Sequence, residues 1–179
     1  RKFSDSLKEV AAKNGAAFVD QFDPYMKIML DARAAKPEAH IGGGDAVHPG
    51  PAGHTLMAWA ILKQLHAPAL VSCACVDLSR WFFQSKVVCE KNCALSNVKV
   101  GGGVLSFDRI DRVLPMPVDP RAAAALKLAG VTDDLSRYLL KVAGLKGASF
   151  DIVIDGAKVA TVSKQELESG FNLATVSTP

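Results

Sequence analysis

Gly44-Asp45-Ala46-Val47-His48-Pro49-Gly50-Pro51-Ala52-Gly53-His54-Thr55-Leu56-Met57-Ala58 sets an acid three residues before a histidine and then runs into an apolar helix. In a turn, D-x-x-H spacing lets the carboxylate fold back and accept the imidazole Nδ1–H. That bond fixes the tautomer, leaves Nε2 as a base and stabilises the imidazolium once it forms. Pro49 keeps the helix from starting early, so His48 stays in the loop, and Gly50 and Gly53 permit a tight backbone path onward. The helix reads from Ala52 to about Leu65, with Leu56, Met57, Ala60, Ile61 and Leu65 toward the core and Trp59 beside Leu56. D-x-x-H alone is a weak signal, common by chance in loops; specificity comes from the longer string.

Upstream of this loop, helix and strand signals alternate. Ser4 or Asp5 is placed to cap a helix with Phe3, Leu7, Val10 and Ala11 on one face, ended by Asn14-Gly15. Ala16-Ala17-Phe18-Val19-Asp20 is short and apolar, suited to a buried strand. Asp23-Pro24 predicts the start of a second helix, with Met26, Met29 and Leu30 inward, stopping before Pro37. Helix, strand, helix, loop and helix in that order suit the closing part of a doubly wound α/β domain.

The character changes after Pro68, where the sequence places a boundary between residues 1–68 and a β-rich extension, 69–179. Val71–Val76, Lys86–Cys89, Val98–Phe107, Tyr138–Gly144, Phe150–Ile154 and Lys158–Val162 are strand-like, and Asp155-Gly156 is a hairpin turn signal. Ser163 with Glu166 three residues on has capping-box spacing for a short helix. Pro115 to about Ala129 reads as a connecting excursion, and the sign-alternating run Asp108-Arg109-Ile110-Asp111-Arg112 as a solvated edge.

Of the 179 residues, 49% are hydrophobic and 22% charged, enough for a buried core. A net charge of +3 with scattered Lys and Arg carries no nucleic-acid footprint. No apolar run approaches the roughly 18–20 residues that a membrane span requires. Cys73, Cys75, Cys89 and Cys93 allow three readings: buried free thiols, one or two disulfides, or a zinc site. Their C-x-C and C-x3-C spacings differ from the C-x2-C pairs of zinc knuckles, and residues 73 and 75 share one face of a strand. His40, His48, His54 and Asp45 match no recurring metal-ligand spacing, and neither Gly42–Gly44 nor Gly101–Gly103 has the context of a phosphate loop. His54 is read as a helix-packing residue, and Trp81-Phe82-Phe83 as packing surface.

The block Asp45-Ala46-Val47-His48-Pro49, then Gly53-His54 and an Ala/Leu-rich helix, resembles the last conserved block of the SGNH (GDSL-type) esterases and acylhydrolases. The resemblance covers residues 1–68 and implies the C-terminal part of a flavodoxin-like α/β/α domain, with His48 as catalytic base and Asp45 as its orienting acid. A similarity to family members with a β-rich extension continues through Leu105-Ser106-Phe107-Asp108-Arg109 and Leu114-Pro115-Met116-Pro117. It implies hydrolysis of a small-molecule or carbohydrate ester through an acyl-serine, with no metal or organic cofactor, in a secreted or periplasmic setting.

The family's Gly-Asp-Ser block, and the glycine and asparagine that complete its oxyanion hole, do not occur before Asp45. Ser4 and Ser6 fall at a helix start, Ser149 begins a strand, and no G-x-S-x-G elbow exists. The expectation is therefore a C-terminal part of a longer enzyme, inactive in isolation, with its serine upstream. The alternative is a non-catalytic β-rich module that binds carbohydrate or protein, its Asp45–His48 loop a relic.

Overall fold

A computed structural model describes residues 1–37, 45, 47–79 and 86–176. His40, Gly42–Gly44 and Trp81–Phe83 lie outside the described residues. The architecture is mixed α/β and divides into two compact units, residues 1–68 with 117–135, and 69–116 with 136–179.

The first unit is helical: α1 (Lys2–Lys13), α2 (Phe22–Ala35), α3 (Pro51–Gln64), a 3-10 turn (Pro120–Ala122), α4 (Ala123–Ala129) and α5 (Val131–Leu135). Pro51 at the first turn and an extended Gly50 start α3, because proline's fixed φ suits a position whose N–H has no intrahelical partner. Its small residues, Ala52, Gly53 and Ala60, are buried with Leu56 and Trp59. The segment from Pro117 onward packs against α3 and adds the buried Ala122, Ala125 and Val131. Gly130, in the left-handed conformation at φ 63°, ends α4 before α5 begins.

Several expectations change here. Residues 16–20 form no strand. A ladder needs a neighbouring strand, and the Gln64 side chain takes that place: the Asp20 N–H donates to its Oε1 at 2.9 Å, and its Nε2 donates to the Asp20 carbonyl. The Asp20 carboxylate then accepts from the backbone N–H groups of Phe22 and Asp23, so Asp20 rather than Asp23 satisfies the start of α2. The buried positions of α2 are Ile28 and Ala32, while Leu30 and Met26 face outward. Leu65, which follows α3, is also exposed. No residue of α1 is buried, and Phe3, Leu7 and Val10 face solvent.

The second unit is built on a four-stranded sheet in the order β2 (Val87–Lys91), β1 (Leu70–Asp77), β5 (Arg137–Ala143) and β8 (Phe171–Asn172). β1 and β5 are parallel; β2 and β8 pair antiparallel at the edges. Two hairpins complete it, β3 (Cys93–Gly101) with β4 (Val104–Asp111), and β6 (Ser149–Ile154) with β7 (Ala157–Ser163). The stretch 98–107, read as one strand, is thus a hairpin. Gly102 and Gly103, at φ 56° and 79°, turn it, a conformation that costs glycine little. Asp155 and Gly156 turn the other hairpin, at φ 48° and 82°. Leu140, Val142, Val162 and Leu167 form a buried cluster flanked by Phe107, Phe150 and Ile152. Leu167 belongs to α6 (Lys164–Ser169), whose capping box between Ser163 and Glu166 forms as its spacing predicts.

The run 108–112 is an exposed edge with a local ion pair between Arg109 and Asp111, as expected, except at Arg109 itself. Its side chain is 8% exposed. Nη1 donates to the Leu139 carbonyl at 3.1 Å, Nη2 to Ser72 Oγ at 2.7 Å and to Asp111 at 3.0 Å, and Ser72 Oγ donates to Asp111 in turn. A guanidinium presents several donors in a planar fork, which lets one side chain tie β1, β4 and β5 together.

Candidate catalytic loop

The loop before α3 holds its acid and histidine together by local bonds. Asp45 Oδ1 accepts from the backbone N–H of Val47 at 2.7 Å and of His48 at 2.6 Å, while the Asp45 N–H donates to the His48 carbonyl at 3.2 Å. This is the turn that aspartate forms with its own backbone. It leaves Oδ2 facing the imidazole, 2.9 Å from His48 Nδ1. The carboxylate thus closes the turn with one oxygen and engages the ring chiefly with the other. Among the described residues Asp45 is the side chain bonded to His48, and Nε2 is left as the ring's proton-accepting position.

These donors hold the Asp45 carboxyl below its ordinary range, the His48 ring contributing most, then the backbone N–H groups of His48 and Val47. The group is therefore a carboxylate at neutral pH, the form that stabilises an imidazolium. Both partners are open to water, with His48 80% and Asp45 66% exposed. Solvent weakens an ion pair so placed, and the full electrostatic benefit of an orienting acid requires cover.

Beside the loop lies an open cleft of about 430 Å³, lined by Asp45, Val47 and Pro49, by Gln21, Phe22 and Tyr25 from the start of α2, and by Met57 of α3. Its walls are mainly apolar, with the carboxylate at one side. The residues from α2 are contributors that the sequence reading did not single out, since their role depends on how α2 packs on α3. His54 is exposed in the first turn of α3 and does not pack as expected. Ser4 and Ser6 lie in α1, and no serine among the described residues is bonded to His48.

The cysteines resolve into one disulfide, Cys75–Cys89, and two buried free thiols, Cys73 and Cys93. The pairing follows from the antiparallel register, which sets Cys75 directly across from Cys89. Among the described residues, no helix is long and apolar enough to cross a membrane.

No family model matches the chain, and no curated protein does. Among solved structures, it is similar to a gut microbial diltiazem-metabolizing enzyme, with a TM-score of 0.75 and 29% identity over 99% of this chain. The chain spans 41% of that enzyme's length. The likeness extends through both units of the chain.

Proposed function

We propose that this chain carries the acid and base of a serine ester hydrolase of the SGNH type, and that the nucleophilic serine and oxyanion donors come from sequence outside these 179 residues. In this reading, residues 1–68 are the closing part of a flavodoxin-like α/β/α domain, and the β-rich residues from 69 onward are an extension of it. The supporting observation is the 2.9 Å contact between His48 Nδ1 and Asp45 Oδ2, within a turn whose carboxylate is kept ionised. His48 Nε2 takes the serine proton as Oγ attacks the ester carbonyl, then returns it to the departing alcohol. Water, deprotonated by the same imidazole, releases the acid from the acyl-serine. The cleft beside Asp45, with Phe22, Tyr25, Val47 and Met57 in its walls, suits an apolar or aromatic part of a small-molecule ester.

The test is hydrolysis of p-nitrophenyl acetate, and of diltiazem, which carries an acetate ester, by a longer protein containing this chain. His48→Ala should lower kcat/KM by about 10³-fold or more. Asp45→Asn should lower it substantially too, by removing the carboxylate that orients the ring. A loss of only a few-fold for His48→Ala would make the loop structural and favour a binding module. The 179 residues alone should show no turnover above that of their own His48→Ala variant.

A further inference from the structure

Three sulfurs converge on one face of the β1–β2 pair. Alternation along β1 places residues 73 and 75 on the same face, and the register sets Cys89 opposite Cys75. The Sγ atoms of Cys73, Cys75 and Cys89 all lie within 4.8 Å of one another. Cys75 and Cys89 are bonded, while Cys73 keeps its thiol 3.8 Å from Cys75 Sγ. A structural disulfide needs two sulfurs; the third is left against it without a covalent partner. Cys93 stands apart, its thiol donating to the Cys73 carbonyl at 3.2 Å, with burial pushing its pKa up.

We propose that, once the Cys75–Cys89 disulfide is reduced, Cys73, Cys75 and Cys89 form a three-thiolate site for one copper(I) ion. A dithiol or phosphine supplies the two electrons. The S–S bond opens and both sulfurs end as thiols: a dithiol gives up its two protons and leaves as its own disulfide, whereas with a phosphine one water supplies the oxygen of the phosphine oxide and the two protons. Copper(I) then displaces the thiol protons to solvent as the sulfurs become ligands, with no further change of oxidation state.

Donor chemistry and ligand number support this choice of ion. Thiolates favour soft ions, copper(I) among them. Structural zinc takes four ligands, and this group offers three, with no histidine or carboxylate oxygen among them. Taking the roughly 2.3 Å of a metal–thiolate bond, a trigonal ion requires sulfurs about 4 Å apart, a spacing that Cys73 and Cys75 have at 3.8 Å and that Cys75 and Cys89 reach by moving apart once their bond is opened. Cys73 is buried, whereas Cys75 and Cys89 are partly exposed and provide the way in. In the oxidised protein, two of the three donors are consumed by the bond between them, so thiol redox state opens and closes the site.

The chain of 179 residues is reduced with a phosphine, freed of excess reductant without oxygen, and titrated with copper(I) as its bicinchoninate complex. The reduced protein should withdraw one ion per chain and gain thiolate-to-copper absorption in the ultraviolet, while the oxidised protein should withdraw none. Cys73→Ser and Cys73→Ala should each weaken binding about tenfold or more, whereas Cys93→Ser should leave it unchanged. X-ray absorption should show three sulfurs at about 2.3 Å. Far-UV circular dichroism monitors folding throughout. Equal uptake by the oxidised form, full affinity without Cys73, or dependence on Cys93 would each overturn the assignment. So would unfolding of the reduced chain. Preferential uptake of zinc with four ligands would replace it.

Discussion

Trp59 Nε1 donates a hydrogen bond to the Asp134 carboxylate at 2.8 Å, across 75 residues of chain. The same oxygen lies 2.6 Å from Lys63 Nζ, and that ammonium sits 5.0 Å from the centre of the Trp59 ring. An indole this deeply placed needs its partner. Asp134→Ala should therefore destabilise the first unit by about 1–3 kcal/mol in guanidinium denaturation. Asp134→Asn keeps an acceptor and gives up only the charge, so it should cost about 1 kcal/mol or less. Equal losses for the two variants would show that the indole bond contributes nothing.

Arg109 is the corresponding test of the second unit. Arg109→Ala leaves Asp111 without its counter-charge and removes a donor from Ser72 Oγ and the Leu139 carbonyl, and should cost about 3–5 kcal/mol in thermal or chemical unfolding. Arg109→Lys restores a charge but not the planar fork, and should recover less than half of that loss. Full recovery by lysine would mean that charge alone matters.

Two glycines with positive φ separate conformation from space. Gly102, at φ 56°, has open space where a Cβ would stand, so Gly102→Ala should cost about 1–2 kcal/mol. Gly144, at φ 74°, would place a Cβ 2.4 Å from the Ser79 backbone nitrogen. Gly144→Ala should therefore cost clearly more, because the backbone must also move. Matching melting temperatures for the two variants would refute the steric argument.

Asp45 gives the pH prediction. Its folded pKa lies below the usual value of 3.8, so ionisation favours the folded loop. That contribution is complete above the unfolded pKa and is lost as pH falls through the lowered folded value. Carboxyl-carbon NMR should therefore show Asp45 titrating below an ordinary aspartate. In His48→Ala the midpoint should rise part of the way back, since the backbone donors of residues 47 and 48 remain. An unchanged midpoint would remove the imidazole as the main cause.

What could be read from the sequence was set by how far apart the interacting residues are. The Asp45–His48 contact, the Ser163–Glu166 capping box and the Asp155-Gly156 turn each close within a few residues, so composition and spacing suffice to find them. Residues 16–20 carry a genuine apolar signal, but strand formation depends on a neighbour, and Gln64 fills that role from 44 positions away. Arg109 looks like any exposed arginine beside two acids, because its acceptors on β1 and β5 are invisible locally. Residues 98–107 carry a strand signal, yet three consecutive glycines, 101–103, interrupt it. The hairpin reconciles the two signals.

Residues 117–135 return to a unit whose other members end at Pro68. During synthesis, the helical unit must therefore wait for its last pieces while residues 69–135 are made, about 3–13 s at ordinary ribosomal rates. Over that interval α3 lacks the cover that α4 and α5 later provide. The nascent chain would thus hold an apolar helix face open to chaperones, and truncation anywhere between residues 69 and 117 would leave that face permanently bare.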